Sequence, residues 1–228
     1  MGVPGSTNSD LFHSWARLPI TREQSSFELK ELMSLHFPDC KPLPGSEELL
    51  LKLSRARSAS TGDEIDLALA SNSKSQSYQL KTLRPETSRL LGFFKPDRRV
   101  LGDDPRLEHG RTKPAPDIYL AALQSINSTI SSNTKAIDPN ECLVFEDSVA
   151  GVEAGRRAGM RVVWVPHPDL AAEYRSKEKA ILAGRTEIFE LGDNWQLGEI
   201  DDGWAESIPS LKQFNYEKYG IDVAPETP

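Results

Sequence analysis

The sequence predicts an α/β protein, a parallel sheet with helices on both faces, preceded by a short helical segment. From residue 46 onward, apolar runs of about five residues alternate with helical patterns, as expected of parallel strands buried on both faces. One such run, 143–145, ends in two adjacent carboxylates, Glu146 and Asp147, and a helix of small residues begins at once. Residues 1–42 carry only helical patterning, and Pro42, Pro44 and Gly45 punctuate the chain behind them. The division is therefore a helical segment over 1–42 and an α/β core over 43–228.

The elements follow in order. Asn8, Ser9 and Asp10 suit the cap of a first helix carrying Leu11, Phe12, Trp15 and Leu18. Thr21 and Gln24 form a capping-box pair. Phe27, Leu29, Leu32, Met33 and Phe37 then recur at the spacing of an amphipathic helix with one buried face. Ser46 caps a helix over 47–53, with Glu47 and Glu48 in its positive first turn. The Ser/Arg/Gly stretch 54–62 reads as loop. Residues 65–70 form an apolar strand ending in Ser71, Asn72 and Ser73, and a helix with Tyr78 and Leu80 follows. Residues 99–101 make a short strand before the acidic turn at Asp103 and Asp104. Pro116 opens a helix over 116–125, and a polar loop over 126–134 precedes the strand 142–145. The helix after Asp147 stops at Gly159, a suitable left-handed C-cap, and 161–165 is a further strand. Helices are expected near 170–181 and 210–218.

Bulk properties narrow the function. A chain of 228 residues and 25.3 kDa can bury a substantial core. Its formal net charge of -7 and pI of about 5.2 argue against a nucleic-acid partner, and the arginine pairs are too scattered for a basic stripe. Cys40 and Cys142 give neither a disulfide framework nor zinc spacing, and Cys142 reads as a buried small hydrophobe. His13, His36, His109 and His167 show no ligand spacing, and Trp15, Trp164, Trp195 and Trp204 read as core or interface. No apolar run approaches the ~20 residues that cross a bilayer, and MGVPGSTNSD does not read as a signal peptide. The expectation is a cytoplasmic protein; its oligomeric state is not encoded in any motif.

The chemistry concentrates at strand ends. Open parallel sheets bind ligands beyond the carboxyl ends of their strands, where helix N-termini offer free N–H groups to phosphate oxygens. Ser71 lies at one strand end and Glu146 with Asp147 at another, while Lys113, just before a third helix, can reach the same rim. A hydroxyl, an ammonium and an acid pair converging there make a phosphoryl-transfer constellation. Taken singly, each has an ordinary reading: Asp147 as an N-cap, Lys113 as a surface lysine, Ser71 as a turn residue. Their joint placement in a βα framework favours function.

ALASNS at 68–73, KPAPDIYLAAL at 113–123 and LVFEDSVAGVEAGRRAGMRVVWVP at 143–166 resemble motifs two, three and four of the haloacid dehalogenase-like hydrolases. The branch resembled holds pseudouridine-5′-phosphatases, β-phosphoglucomutases and small sugar-phosphate phosphatases. VLGDDPRLEHG at 100–110 looks closest to the pseudouridine-phosphatase members, and SLKQFNYEKYGI at 210–221 looks like fungal relatives. The resemblance implies a Rossmann-like core with a helical cap, of which 1–42 is a remnant. It also implies Mg²⁺ as cofactor, a small sugar or nucleoside phosphate as substrate, and an aspartyl-phosphate intermediate. By the same resemblance Asp147 is the metal ligand, with Glu146 binding the ion directly or supporting it. Lys113 is the catalytic cation, and Ser71 with the N–H of Asn72 holds the phosphoryl group. Phosphatase and phosphomutase chemistry both fit, phosphatase being the commoner.

Family members begin with an apolar strand ending in Asp-x-Asp-Gly-Thr, whose first aspartate is the nucleophile. None of the 228 residues supplies that pattern: the Asp63–Asp66 cluster precedes its strand, and Asp201-Asp202 lacks one. By resemblance this strand is central, between the strands ending at Ser71 and Phe145, so the expectation is a core with two unpaired inner edges. Each buried unpaired group costs ~1–3 kcal/mol against a typical net stability of ~5–15 kcal/mol. The expected protein is a truncated, inactive phosphatase; the alternative is a non-catalytic binding or regulatory protein of the same fold.

Overall fold

The computed structural model describes residues 13, 15–17, 19–107, 111–131, 135–186 and 197–224. Asn8, Ser9, Asp10, Leu11, Phe12 and Leu18 of the expected first helix, with His109 and Trp195, lie outside the described residues.

Helix α1 (Arg22–His36) starts where the capping box places it, Thr21 Oγ1 accepting from the Gln24 amide at 3.2 Å. Its expected buried face is not covered by the described residues: Phe27 is 64% and Leu32 53% exposed, and no residue of the helix is buried. Contact with the core comes through the 3-10 turn Phe37–Asp39 behind it, which packs on the helix following Ser73. Helix α2 (Ser46–Leu53) is capped by Gly45 rather than by Ser46, at a left-handed φ of 90°. A side chain at Gly45 would come within 2.8 Å of the Lys212 amide, so both conformation and space demand glycine.

The βα alternation follows the prediction with shorter strands, but a two-residue strand lies in the stretch read as loop, an unpredicted helix covers Pro85–Leu91, and the helix expected near 170–181 is two short helices separated by the 3-10 turn Arg175–Lys177. The remaining elements are β1 (Arg57–Ser58), β2 (Leu69–Ser71), α3 (Ser75–Lys81), α4 (Pro85–Leu91), β3 (Arg99–Leu101), α5 (Asp117–Asn127), β4 (Leu143–Glu146), α6 (Val149–Arg157), β5 (Arg161–Trp164), α7 (Pro168–Glu173), α8 (Glu178–Leu182), β6 (Ala205–Ser207) and β7 (Ile221–Asp222). Gly159 takes φ 73° behind α6, as its C-cap role requires. The helix expected near 210–218 is instead two 3-10 turns, Leu211–Gln213 and Glu217–Tyr219. Between them Phe214 is extended, which carries its ring into an aromatic cluster with Phe145 and Tyr216, both at 4.9 Å between centroids, and Tyr219 at 5.2 Å.

Parallel pairing joins β2 to β3 and, separately, β4 to β5 to β6. Among the described residues no strand links β2 to β4. Two apolar layers pack on these strands, and the first spans both halves. On one face α5 packs on β2 and β3 and touches α6, so Val100, Ile118, Val144, Val152 and Val162 share one cluster. On the other face α2 and the C-terminal segment meet Val163, Val165 and Phe145 through Leu49, Leu53, Ile208, Leu211 and Phe214. Each fully buried aliphatic side chain of this size contributes about 1.5–3 kcal/mol to that packing. No helix among the described residues is long and apolar enough to cross a membrane.

Candidate functional site

The site lies where β2 and β4 end. The Lys113 ammonium, buried to 6% exposure, donates to the Ala70 carbonyl at 2.9 Å and to Glu146 Oε1. It therefore joins the two half-sheets directly, donating to a β2 carbonyl and to the β4 carboxylate. Its backbone is clamped by Asn72, whose Oδ1 accepts from the Lys113 amide at 3.0 Å and whose Nδ2 donates to the Lys113 carbonyl at 3.2 Å. Asn72 thus fixes the lysine through its side chain, a role its position after the strand does not announce. The turn stays close because Gly102 donates to the Ser73 carbonyl at 3.0 Å and has no side chain, which would overlap the Asn72 carbonyl. Ser71 Oγ accepts from the Ser73 amide at 3.2 Å and stays half-buried at the rim.

Glu146 is buried at the end of β4 and uses both oxygens. Oε1 receives Lys113 and the Tyr119 hydroxyl, while Oε2 receives the Ser148 hydroxyl at 3.0 Å. Burial alone raises its pKa, but the Lys113 charge and the three donors outweigh that and hold the carboxyl below its ordinary value. Burial, then the Glu146 charge, hold the Tyr119 phenol well above its ordinary value, so it stays a protonated donor. The Tyr119 ring lies 4.9 Å from the Lys113 ammonium and adds a cation–π contact. Gly151, in the first turn of α6, is the floor beneath this carboxylate; a side chain there would overlap it.

Asp147 differs from its neighbour. Its side chain reaches solvent, and its carbonyl accepts from Trp164 Nε1 at 3.2 Å. Burial first, and then the Glu146 charge, push its carboxyl upward, with Lys113 and Lys81 partly offsetting them. Solvent access limits that push. It is not the helix cap: Ser148 is, its Oγ accepting from the Gly151 amide at 3.1 Å. An exposed carboxylate beside a buried one already engaged leaves Asp147 as the open oxygen donor. No cluster of three or more His, Cys, Asp or Glu residues suited to a metal exists among the described residues. A hard divalent cation tolerates one carboxylate with waters, which Asp147 fits; Glu146 has no oxygen to spare.

The structure thus brings Lys113, Asn72, Glu146 and Asp147 together with Ser71 on the adjoining turn. Sequence reasoning missed Tyr119, Ser148 and Gly151. Tyr119 stands six residues beyond Lys113 on the buried face of α5, and only that spacing hinted at it.

Known proteins share this arrangement of segments. The family model for haloacid dehalogenase-like hydrolases matches residues 19–159. The chain belongs to this family. A Schizosaccharomyces pombe protein described only as uncharacterized is 35% identical over 96% of this chain and 77% of its own length. The Saccharomyces cerevisiae protein named "probable pseudouridine-5′-phosphatase" is 36% identical over 96% of this chain and 79% of its own length. Among solved structures, an HAD hydrolase of family IA, variant 3, from Entamoeba histolytica superposes with a TM-score of 0.60. It covers 95% of this chain and 78% of its own at 18% identity, which shows the shared fold. Family membership accounts for the α/β core and for the order of the three motifs on it.

Proposed function

We propose that this chain carries the phosphate- and metal-binding half of a phosphatase active on a small phosphorylated metabolite, a sugar or nucleoside phosphate. The buried Lys113 ammonium beside the open Asp147 carboxylate carries the reading. In this role Lys113 faces the equatorial phosphoryl oxygens with one ammonium hydrogen, while Glu146 and Ala70 hold the other two. Ser71 Oγ and the Asn72 amide hydrogen-bond the phosphoryl group, and Tyr119 and Ser148 keep Glu146 charged and in place. Asp147 would hold Mg²⁺ through a carboxylate oxygen; when bound, the ion neutralises phosphate charge that would otherwise repel the carboxylates. The names of the relatives support the substrate class, including the (DL)-glycerol-3-phosphatase 1 of Arabidopsis thaliana at 30% identity.

Hydrolysis in this family needs an aspartate nucleophile at a strand end, which none of the 228 residues supplies in the Asp-x-Asp-Gly-Thr form. Our reading for these 228 residues by themselves is binding of a phosphate ester without turnover. Calorimetric titration with inorganic phosphate and Mg²⁺ tests the binding: Lys113→Met is expected to weaken it about tenfold or more. Unchanged binding in that variant would remove the lysine from the site. Release of para-nitrophenol from its phosphate ester, abolished in Asp147→Asn, would overturn the reading that this chain lacks turnover. The same missing motif favours a second reading, a non-catalytic sensor of phosphorylated metabolites, and sustained turnover would reject it too.

A further inference from the structure

The Ser/Arg/Gly stretch behind α2 folds into an exposed hairpin. The Ser58 amide donates to the Asp63 carbonyl at 2.8 Å, and Gly62, at a left-handed φ of 76°, donates back to the Ser58 carbonyl at 2.8 Å. Every residue from Ala59 to Glu64 is exposed, and a side chain at Gly62 would meet nothing within 4 Å. The base of the hairpin is anchored. Ala56 is buried in the apolar layer, β1 pairs with β7, and the Ala59 amide donates to the Gly220 carbonyl at 2.8 Å. The tip thus stands in solvent on a packed base. It precedes the residues leading into β2, whereas Ser71 ends that strand at the phosphate site.

The sequence RARSAST over 55–61 offers three hydroxyls behind an arginine pair, and the structure separates them. Ser58 is half-buried in β1, and its Oγ accepts from the Thr61 amide at 3.3 Å. Thr61 Oγ1 accepts from the Asp63 amide at 3.3 Å. Ser60 is exposed, and its hydroxyl is hydrogen-bonded to the Ser58 hydroxyl at 3.0 Å. Arg57 and Arg55, three and five residues before Ser60, are exposed as well. A free serine hydroxyl preceded by two solvent-facing guanidiniums complements the acidic cleft of an arginine-directed protein kinase.

We propose that Ser60 is a phosphorylation site for such a kinase, with Arg55 and Arg57 as the residues it recognises. In the reaction Ser60 Oγ bonds to the γ-phosphorus of ATP as the bond to the ADP oxygen breaks. The hydroxyl proton passes to the kinase's carboxylate base. The phosphoryl group adds a charge of about −1.5 to −2 beside Arg57. The exposed pair of Arg57 with Glu64, at 3.2 Å, is weak enough to give way to it.

Incubation of the 228-residue chain with ATP and a kinase selective for arginine at these two spacings tests the site. Mass spectrometry of the digested product locates the phosphate. Near-complete modification at Ser60 is expected. Ser60→Ala should abolish it, and Arg57→Gln should slow it about tenfold. Both side chains are exposed, so circular dichroism and inorganic phosphate titration should be unchanged in both variants. Phosphate on Ser58 or Thr61 in place of Ser60, or none on the folded chain, overturns the proposal. An unchanged rate in Arg57→Gln overturns it too. None of these results bears on the phosphate site around Lys113.

Discussion

Lys113 and Glu146 are each other's counter-ion across the seam between β2 and β4, and the same ammonium reaches the Ala70 carbonyl at 2.9 Å. One side chain therefore serves as the catalytic candidate and as the polar link between two half-sheets. Breaking a buried pair by removing one partner leaves the other charge uncompensated. Glu146→Gln should therefore cost about 3–5 kcal/mol in urea unfolding, whereas the apolar pair Lys113→Met with Glu146→Leu should recover part of that loss. Additive losses in the double-mutant cycle would show that the two groups do not act as a pair.

Gly151 sets the room available to that carboxylate. Gly151→Ala places a methyl group where Glu146 sits. Overpacking of this kind costs about 1–3 kcal/mol, and the displaced Glu146 should also weaken inorganic phosphate binding through Lys113. A variant with native stability and native phosphate affinity would show that the carboxylate can move aside freely.

Tyr119→Phe removes one donor from Glu146 and keeps the ring over Lys113. Hydrogen bonds to charged groups contribute about 1.5–3 kcal/mol, and the thermal midpoint should fall accordingly. The loss should be present at neutral pH and shrink in acid, as Glu146 is protonated.

The two adjacent acids should respond to pH in opposite senses. Glu146 has its folded pKa below the ordinary 4.5, so its contribution is present above that value and is lost as pH falls through the folded one. Asp147 has its folded pKa above the ordinary 3.8, so its ionised form opposes folding once pH rises past that value. Asp147→Asn should therefore raise the thermal midpoint at pH 7 in metal-free buffer and leave it unchanged near pH 3, while abolishing Mg²⁺ binding. A lower midpoint at pH 7 would contradict the sign of that shift.

Phe214 anchors the C-terminal segment to β4 and α2. Phe214→Ala should cost about 3–5 kcal/mol, measured from the urea midpoint, because the aromatic cluster and the apolar layer over β4 and β5 share that ring. A loss under 1 kcal/mol would place the anchorage elsewhere, for example at Ile221.

The sequence by itself determined the α/β class, the βα alternation and the strand-end placement of Ser71, Glu146 and Asp147. Apolar period, glycine and proline punctuation and capping residues are local properties that neighbouring residues express together. It also carried the family, because three ordered motifs are written in contiguous residues. Only the tertiary structure decided what each site residue touches. Lys113 and Glu146 are 33 residues apart and Asn72 and Lys113 are 41 apart, so their pairing depends on helix and sheet packing that no local pattern encodes. The same holds for the helix expected near 210–218. Its spacing suits a helix, yet Phe214 gains more by entering the cluster around Phe145 than by continuing a turn. Of the two acids that look alike in the sequence, burial and hydrogen bonding made Glu146 the partner of the lysine and left Asp147 open to a cation.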